Sequence, residues 1–385
     1  MRLTTLTVDD FATAQKQETL ARYHALGLPS KESEAYRYFS TQKLFEKEYE
    51  VIDYPTPEIA QGESIKIVDG VVVSAPKGLR IYYEAQMDAV DSEHFDPIYY
   101  LGHLLSPRVI RIEIDGDAEI ELEHHYTKSH ALIHYRIVLS NQANRHATFY
   151  ERFIAEDISD SLVLYGYDME IAPDSTLRVI KEQFIAPEAY AIIASHSMKV
   201  GRNATLLFKS FDFGGGDGLQ LIRMILDHHA TADANHLLYL NDSARRGTIS
   251  TMIHRGEHSR STQEAKTILD ADTRGIFDAL IKVESTAKHT KAEQNSKAIL
   301  LDEKAYMVAK PQLEIDVDEL EASHGATTGQ LNPEALFYLE SRGLSTVEAR
   351  KMLVLAFANT LIEKVKDIRY QNRIQEAFEM VFYRK

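Results

Sequence analysis

His324 is the residue of this 385-residue sequence whose surroundings most suggest chemistry. It stands alone among small and hydroxyl-bearing residues, in the segment SHGATTG at positions 323–329. A neutral imidazole can bind a metal ion such as iron through one ring nitrogen while a neighbouring group holds the other nitrogen. The alternative is a structural histidine that satisfies turn hydrogen bonds beside Thr327 and Thr328. The chemistry of the segment leaves both interpretations open.

The sequence contains no cysteine, and this absence excludes several kinds of chemistry. A chain without thiols forms no disulfide and has no cysteine nucleophile or persulfide carrier. It also cannot hold a thiolate-ligated cluster by itself.

Three other features are weaker candidates for chemistry. Adjacent strand residues point to opposite faces, so neither His124-His125 nor His228-His229 can chelate a metal ion as a pair. We interpret these histidines as surface residues or as stacked residues of a repeating β structure. The glycine-rich run at 214–218 lacks the Gly-Lys-Ser/Thr element of a phosphate loop, so it predicts a flexible loop.

The elements on either side of His324 change from strand to helix. Residues 311–317 alternate between apolar and polar side chains, which predicts a half-buried strand. Asn332 can cap a helix, Pro333 suits its first turn, and Gly343 can adopt the left-handed conformation that ends it. We therefore expect His324 to lie near a junction of sheet and helix.

A repeat in the centre of the chain predicts a β-solenoid. Five turn-forming residues are separated by 29, 30, 29 and 30 positions, and each precedes an alternating run: Asp115, Asn144, Asp174, Asn203 and Asp233. Asx residues suit turns because their side chains bond nearby backbone and tolerate left-handed geometry. Coils that stack at a constant period would show this pattern. The alternative is an ordinary antiparallel sheet in which common turn residues recur by chance.

Both ends of the chain are predicted to be helical. An early helix capped by Thr7 or Asp9 would end at Gly27, a second would run from about Tyr36 to Phe45, and a first hairpin would follow near 65–70. The residues Ser345 and Glu348 form a capping box before a long amphipathic run. We expect an N-terminal helical region with a linker (1–60), a β-helix core (61–330) and a C-terminal helical module (331–385).

Several motifs together resemble a known family, the SufB/SufD scaffolds of iron–sulfur cluster assembly. A proline-led LEI strand (313–315), an acidic pair (318–319), SHGAT (323–327) and an FYL…SRG helix (337–343) follow one another in the order found there. The N-terminal segment GLPSKESEAYRY (27–38) is similar to the SufD-type pattern. The resemblance covers most of the chain and is most specific after about residue 248.

The resemblance implies a fold and a function. The family core is a parallel β-helix, so we expect a mainly β protein with a central parallel β-helix flanked by helical regions. The resemblance implies a SufD-type scaffold subunit, not an enzyme, that pairs with a SufB-type subunit and docks the ATPase SufC. An iron–sulfur cluster would be transient and shared with the partner subunit. Because thiolates dominate cluster sites, we expect none in the isolated chain.

The resemblance also implies site residues. His324 would be a metal ligand at the interface with SufB. Ala322 stands where the family often has a cysteine, which excludes any ligation scheme that needs that thiolate. Residues 290–301 correspond to the region that carries a sulfur-accepting cysteine in SufB-type chains, but here we predict only a polar strand edge. The residues expected to bind a partner are Phe337, Tyr338, Arg342 and Gly343.

Charge and hydropathy argue against two classes of partner. The chain has 43 basic and 58 acidic residues and a formal net charge of −15, so we expect no broad nucleic-acid surface. No segment resembles a signal peptide, and no apolar run approaches the roughly 20 residues of a membrane helix. We therefore expect a cytoplasmic protein without membrane contacts.

Two other functions remain open from the sequence. One is a carbohydrate-active β-helix enzyme such as a polysaccharide lyase, although such enzymes are usually secreted and a helical C-terminal module has no evident purpose in them. The other is a homo-oligomeric scaffold that works without SufB, because two copies of one solenoid could pair through their edges.

Overall fold

The computed structural model describes residues 2–5, 16–30, 32–33, 36–39, 41–85, 90–155 and 157–383. A short 3-10 helix spans Leu3–Thr5, and the α-helices are α1 (Gln17–Leu26), α2 (Thr41–Glu46), α3 (Pro97–Leu105), α4 (Pro333–Ser341), α5 (Thr346–Ile362) and α6 (Ile368–Tyr383). The first strands are β1 (Glu50–Val51), β2 (Ala60–Gln61), β3 (Ile65–Val68), β4 (Val71–Ala75), β5 (Arg80–Glu84), β6 (Val109–Ile114) and β7 (Ala118–Tyr126). The middle strands are β8 (Ala131–Asn141), β9 (His146–Ala155), β10 (Ser161–Ile171), β11 (Thr176–Ile185), β12 (Tyr190–Val200), β13 (Thr205–Gly214) and β14 (Gly218–Leu226). The last strands are β15 (Thr231–Leu240), β16 (Arg245–His254), β17 (Arg260–Leu269), β18 (Arg274–Val283), β19 (Thr290–Leu300), β20 (Tyr306–Ile315) and β21 (Leu320–Gly329).

The centre of the molecule is a parallel β-solenoid of about eight coils, as predicted. Each coil gives one strand to sheet A, which contains β6 to β20 in even numbers, and one to sheet B, which contains β7 to β21 in odd numbers. The coil strands pair in parallel, and alternate side chains point into the space between the sheets. Apolar residues such as Ile133, Val163 and Val179 fill that space and are fully buried.

Turn residues in the left-handed conformation form one corner of the solenoid. Asn144, Asp174 and Asn203 have φ angles of 57°, 59° and 57°, which confirms the period that the sequence indicated. The prediction for Asp233 is wrong, because this residue lies inside β15 and the corresponding corner residue is His229, with φ of 57°. The coil before it is short: Thr205 pairs with Thr231, a spacing of 26 positions, which ends the regular Asx series.

A tight glycine corner makes that coil short. Gly214 has a φ of 107°, and a Cβ on Gly216 would lie 2.1 Å from the Ile185 side chain. Only glycine allows the backbone to approach this closely. The glycine-rich run is therefore a close-packed corner between β13 and β14, and the predicted flexible loop is wrong.

The N-terminal helices cover the outer face of sheet A. The buried side chains of Tyr99 and Leu101 on α3 belong to the same apolar cluster as Leu132 and Leu162 of sheet A. The expected cap at Thr7 or Asp9 lies outside the described residues, while α1 ends before Gly27 as predicted. The second predicted helix is shorter than expected, since α2 begins at Thr41, and α3 was not predicted from the sequence.

The C-terminal helices cover the outer face of sheet B. Phe378 of α6 packs edge-on against Phe213 and Tyr239, with ring centres 5.4 and 5.6 Å apart, and Tyr370 stacks on Tyr150. The predicted caps are present: Asn332 accepts from backbone N–H groups of α4, and the capping box precedes α5. Among the described residues, no helix is both long and apolar enough to span a membrane.

Candidate functional site

The last coil of the solenoid is open. Among the described residues, β20 pairs only with β18 and β21 pairs only with β19, so each strand of ten residues has one unpaired edge. The apolar side chains Leu313, Val317 and Leu320 pack against the core but stay partly exposed at this end. Ile315 is 42% exposed. We call this surface, formed by β20 and β21 and the side chains between them, the open end.

His324 lies at the centre of β21, in the open end. It pairs in register with Gln294 of β19, whose side chain is buried inside the solenoid, so alternation places His324 on the same inner face. It is nevertheless exposed, because no further coil covers it. The interpretation of His324 as a turn residue is wrong, because SHGATTG is part of strand β21 and pairs in register with β19.

Two buried glutamines lie in the same row of the solenoid as His324. Gln263 pairs with Gln294, and Gln294 pairs with His324. The Gln263 amide donates to Gln294 Oε1 at 3.4 Å, and Ser250 donates to Gln263 Oε1 at 2.7 Å. This polar column was not predicted from the sequence. It could have been found from the glutamines at inward positions of two successive strands, β17 and β19. The predicted polar edge at 290–301 is wrong, because β19 pairs on both sides.

His324 has no metal-binding companion among the described residues. No group of three or more His, Cys, Asp or Glu side chains in that part of the chain is arranged to hold a metal ion. Ala322, two positions earlier on the same inner face, adds no donor atom. The geometry therefore allows His324 to supply one nitrogen at the open end, where the other ligands would have to come from a second chain.

The four residues predicted to bind a partner are close together at the end of α4. Phe337 and Tyr338 are 73% and 56% exposed, and α4 has no buried residue. The Arg342 guanidinium lies 5.2 Å from the Tyr338 ring, and Gly343, with φ of 95°, ends the helix in the predicted left-handed conformation. All four residues are exposed.

Two histidines of the adjacent pairs, His124 and His229, have structural contacts. His124 is fully buried, its Nε2 lies 2.8 Å from Glu151 Oε1, and Tyr135 Oη lies 2.7 Å from its Nδ1. It is therefore an interior residue whose ring stacks on Phe153 of the next coil, with ring centres 4.5 Å apart, so the stacked interpretation holds for it and the surface interpretation is wrong. His229 stacks on His258 of the next coil with ring centres 4.9 Å apart, which agrees with the stacked interpretation.

A buried ionic cluster attaches α3 to sheet A. Asp168 accepts hydrogen bonds from Arg136 at 2.7 Å and from Tyr99 at 2.6 Å, and His103 Nε2 lies 3.1 Å away. Burial acts to raise the pKa of Asp168, but the charges of Arg136 and His103 outweigh it and hold the pKa far below its ordinary value. This cluster was not predicted from the sequence, because its members are distant along the chain.

Comparisons with known proteins point to one family. Residues 124–357, more than half of the chain, match the family described as "SUF system FeS cluster assembly, SufBD core domain". The Escherichia coli iron–sulfur cluster assembly protein SufD is 29% identical over 243 residues, which are 61% of this chain and 55% of that protein. The Bacillus subtilis SufD protein is 32% identical over 114 residues, 30% of this chain and 26% of that protein. The chain thus spans about half the length of the E. coli relative that it matches, and less of the B. subtilis one.

Proposed function

The chain belongs to the SufBD family of iron–sulfur cluster assembly proteins, and on this basis we propose that it is a SufD-type scaffold subunit. It pairs through its open end with a SufB-type subunit and docks a SufC-type ATPase on its C-terminal helices. The iron–sulfur cluster is the cargo of the complex and is held only transiently. This chain supplies geometry and one imidazole ligand, while the sulfur chemistry belongs to the partner.

The observation that carries this proposal is the pair of unpaired strands at the open end. A solenoid needs a terminal cap, because its last coil otherwise exposes backbone groups and interior side chains. An exposed strand edge of ten residues is a ready template for pairing with another chain. A partner with the same fold and an equally open end would continue both sheets.

The position of His324 fits a cluster that forms between two subunits. A ligand on the inner face of β21 would lie next to the partner's last coil once the sheets are joined. With no cysteine in the chain, the partner must provide the thiolates that usually dominate such a site. The imidazole would then act as a single ligand from this side, with its orientation fixed by the joined strands.

The proposed docking surface for the ATPase is α4, with Phe337, Tyr338, Arg342 and Gly343. An exposed aromatic pair beside an arginine is typical of residues that dominate protein interfaces. Helices α5 and α6 are fixed to sheet B by their apolar faces, so they can hold α4 in a constant position. Nucleotide-driven movement of the ATPase would thus be transmitted to the solenoid.

A matched pair of variants tests the pairing. Ile315→Lys places a charge on the open end, whereas Val51→Lys places it on β1, where Val51 is 61% exposed at a distant site. We expect Ile315→Lys to reduce co-purification with the SufB-type subunit at least tenfold and Val51→Lys to leave it unchanged. Equal co-purification of both variants would contradict pairing through the open end.

Docking of the ATPase is tested separately on α4. Phe337→Asp should abolish capture of the SufC-type ATPase without loss of pairing to SufB. The matched control is Ile368→Asp on α6, at a side chain that is 60% exposed. Retained capture by a folded Phe337→Asp variant would exclude α4 as the docking surface.

Each of the two alternative functions can be tested by one measurement. A purified chain that forms a stable dimer by itself and assembles cluster without SufB would favour the homo-oligomeric scaffold. New reducing ends after incubation with acidic polysaccharides would favour a carbohydrate-active enzyme. We expect neither result.

A further inference from the structure

A groove of about 530 Å³ lies between sheet B and the corner that joins α5 to α6. Its floor contains a row of five side chains in register on neighbouring strands, namely Glu119, Thr148, Arg178, Leu207 and Asp233. The other wall is residues 364–367, the connection between the two helices. The groove therefore joins the solenoid to the C-terminal helices and is distinct from the open end and from α4.

Four cations line this groove: Arg178, Lys209, Lys364 and Lys366. Burial lowers the pKa of Lys209, and the charges of Lys364 and Lys366 lower it further, although Asp233 acts in the opposite direction. The lysines are thus close enough to repel one another. Positive side chains that lie close together in a concave site favour the binding of an anion, because the anion reduces their mutual repulsion.

The acidic residues of the groove are already paired. Asp233 Oδ2 lies 3.4 Å from Lys209 Nζ. Glu119 and Asp367 both accept from the Arg369 guanidinium, at 2.9 and 2.6 Å. Arg369 carries one positive charge against these two carboxylates, so the trio keeps one net negative charge, which Arg178 and Lys366 together outweigh.

Two cations of the groove keep their charge available. Lys364 Nζ lies 2.6 Å from Glu264 Oε2 and is paired. Arg178 and Lys366, in contrast, have no hydrogen-bond or ion-pair partner within the portion of the chain that the structure describes. Arg178 is partly buried in the floor, and Lys366 is exposed on the opposite wall. The groove thus presents two positive charges from opposite sides.

We propose that this groove binds the phosphate monoester of a small organic molecule. A phosphate monoester carries about −1.5 to −2 charges at pH 7, and Arg178 and Lys366 can contact it from opposite walls of the groove. The planar guanidinium of Arg178 can bind two phosphate oxygens at once, and Lys366 would act as a point charge. The organic part would lie on the apolar floor of Ile180, Leu207 and Val365, and the volume is typical of small-molecule sites.

The test is titration calorimetry of the full chain with AMP, inorganic phosphate and adenosine. We expect AMP to bind, inorganic phosphate to bind more weakly, and adenosine to give no measurable binding. The double variant Arg178→Gln with Lys366→Gln should bind AMP at least tenfold more weakly, because each charge-assisted contact contributes roughly a factor of ten. Binding should also weaken as salt is added.

The matched control carries the same loss of charge away from the groove. Arg22 and Lys77 are exposed, and the double variant Arg22→Gln with Lys77→Gln should bind AMP like the unaltered chain. Circular dichroism verifies that both double variants are folded. The proposal is overturned if AMP does not bind, if adenosine binds as tightly as AMP, or if both double variants bind AMP equally. Pairing with SufB uses other residues, so either proposal can fail without the other.

Discussion

The two ends of the solenoid differ in how their terminal strands are covered. At the first end, the antiparallel hairpin of β3 and β4 continues sheet B, and Ile65, Ile67 and Val72 are fully buried. At the open end, Leu320 is only partly buried and His324 is exposed, although both occupy inner positions of the last coil. The same kind of position is thus part of the core at one end and part of the surface at the other.

This difference shows where the chain completes its own core. At the first end, the Val72 N–H donates to Tyr83 Oη at 2.9 Å, which connects β4 of sheet B to β5 of sheet A. β5 has only five residues and begins and ends with charged side chains, which discourages further pairing. At the open end, β21 has no charged side chain at either terminus, and its ten residues are twice the length of β5. A cap made within one chain stabilises the monomer, whereas an end without a cap favours a partner.

The largest loss of stability should follow from Asp168→Ala, in the cluster that attaches the N-terminal helices. Arg136 is 1% exposed and would keep a buried charge with no carboxylate. Removing one partner of a buried pair costs about 3–5 kcal/mol of unfolding free energy. Urea denaturation measures this loss. Asp272→Ala, at an exposed corner, is the control, and a loss for Asp168→Ala no larger than the control's would contradict the role of the cluster.

Two alanine substitutions, one at each end of the solenoid, test how tightly the two ends are packed. Ile67→Ala removes a fully buried side chain at the capped end and should lower the unfolding free energy by about 2–5 kcal/mol. Leu320→Ala, at the equivalent inner position of the open end, should cost less than about 1 kcal/mol because its side chain is already partly hydrated. Denaturant unfolding of both isolated variants gives the two values. Equal losses would mean that the open end is packed like the core.

Three buried histidines should also make the stability of the protein depend on pH. Burial lowers the pKa of His134, His236 and His254 to about 4, below the ordinary value of 6.5. Between pH 6.5 and 4 the unfolded chain binds protons that the folded chain does not, so the unfolding free energy falls as the pH falls. Each histidine contributes a slope of about 1.4 kcal/mol per pH unit. His254→Gln should remove one such contribution, and an unchanged slope would show that His254 is hydrated.

The smallest effect on stability is expected for His324→Ala. The side chain of His324 is exposed and has no hydrogen bond to the described residues. Its removal should therefore change the unfolding free energy by less than about 0.5 kcal/mol. Cluster formation by the complete complex should nevertheless fall, because an iron would lose its imidazole ligand. Melting temperature and cluster yield are measured on the same variant. A destabilised variant with a normal cluster yield per folded complex would defeat the ligand hypothesis.

The sequence predicted the repetitive parts of the fold and missed the parts that depend on distant contacts. Asn144, Asp174 and Asn203 revealed the coil period because each occupies a left-handed corner position, which Asn and Asp tolerate better than most residues. The prediction for Asp233 failed because the glycine corner shortens one coil, and a constant period in the sequence does not reveal a shortened coil. The ionic cluster of Asp168 was invisible because its partners are 32 or more positions away.

The candidate site was predicted in composition but not in geometry. The motif around His324 identified the residue, yet its small neighbours looked like a turn, and only the pairing with Gln294 places it on the inner face of a strand. Exposure of Phe337 and Tyr338 could not be read from their apolar side chains, which suit a core equally well. These properties depend on what packs against each element, and local sequence does not encode that.

The central claim is that the open end is completed by a partner, and amide hydrogen exchange of the full chain tests it most directly. In the isolated chain, the outward amides of β20 and β21 should exchange fast, while those of β3 and β4 exchange slowly. Addition of the SufB-type subunit should slow exchange in β20 and β21 by at least tenfold and leave β3 and β4 unchanged. Exchange in β20 and β21 that stays fast in a complex of verified stoichiometry would contradict the account.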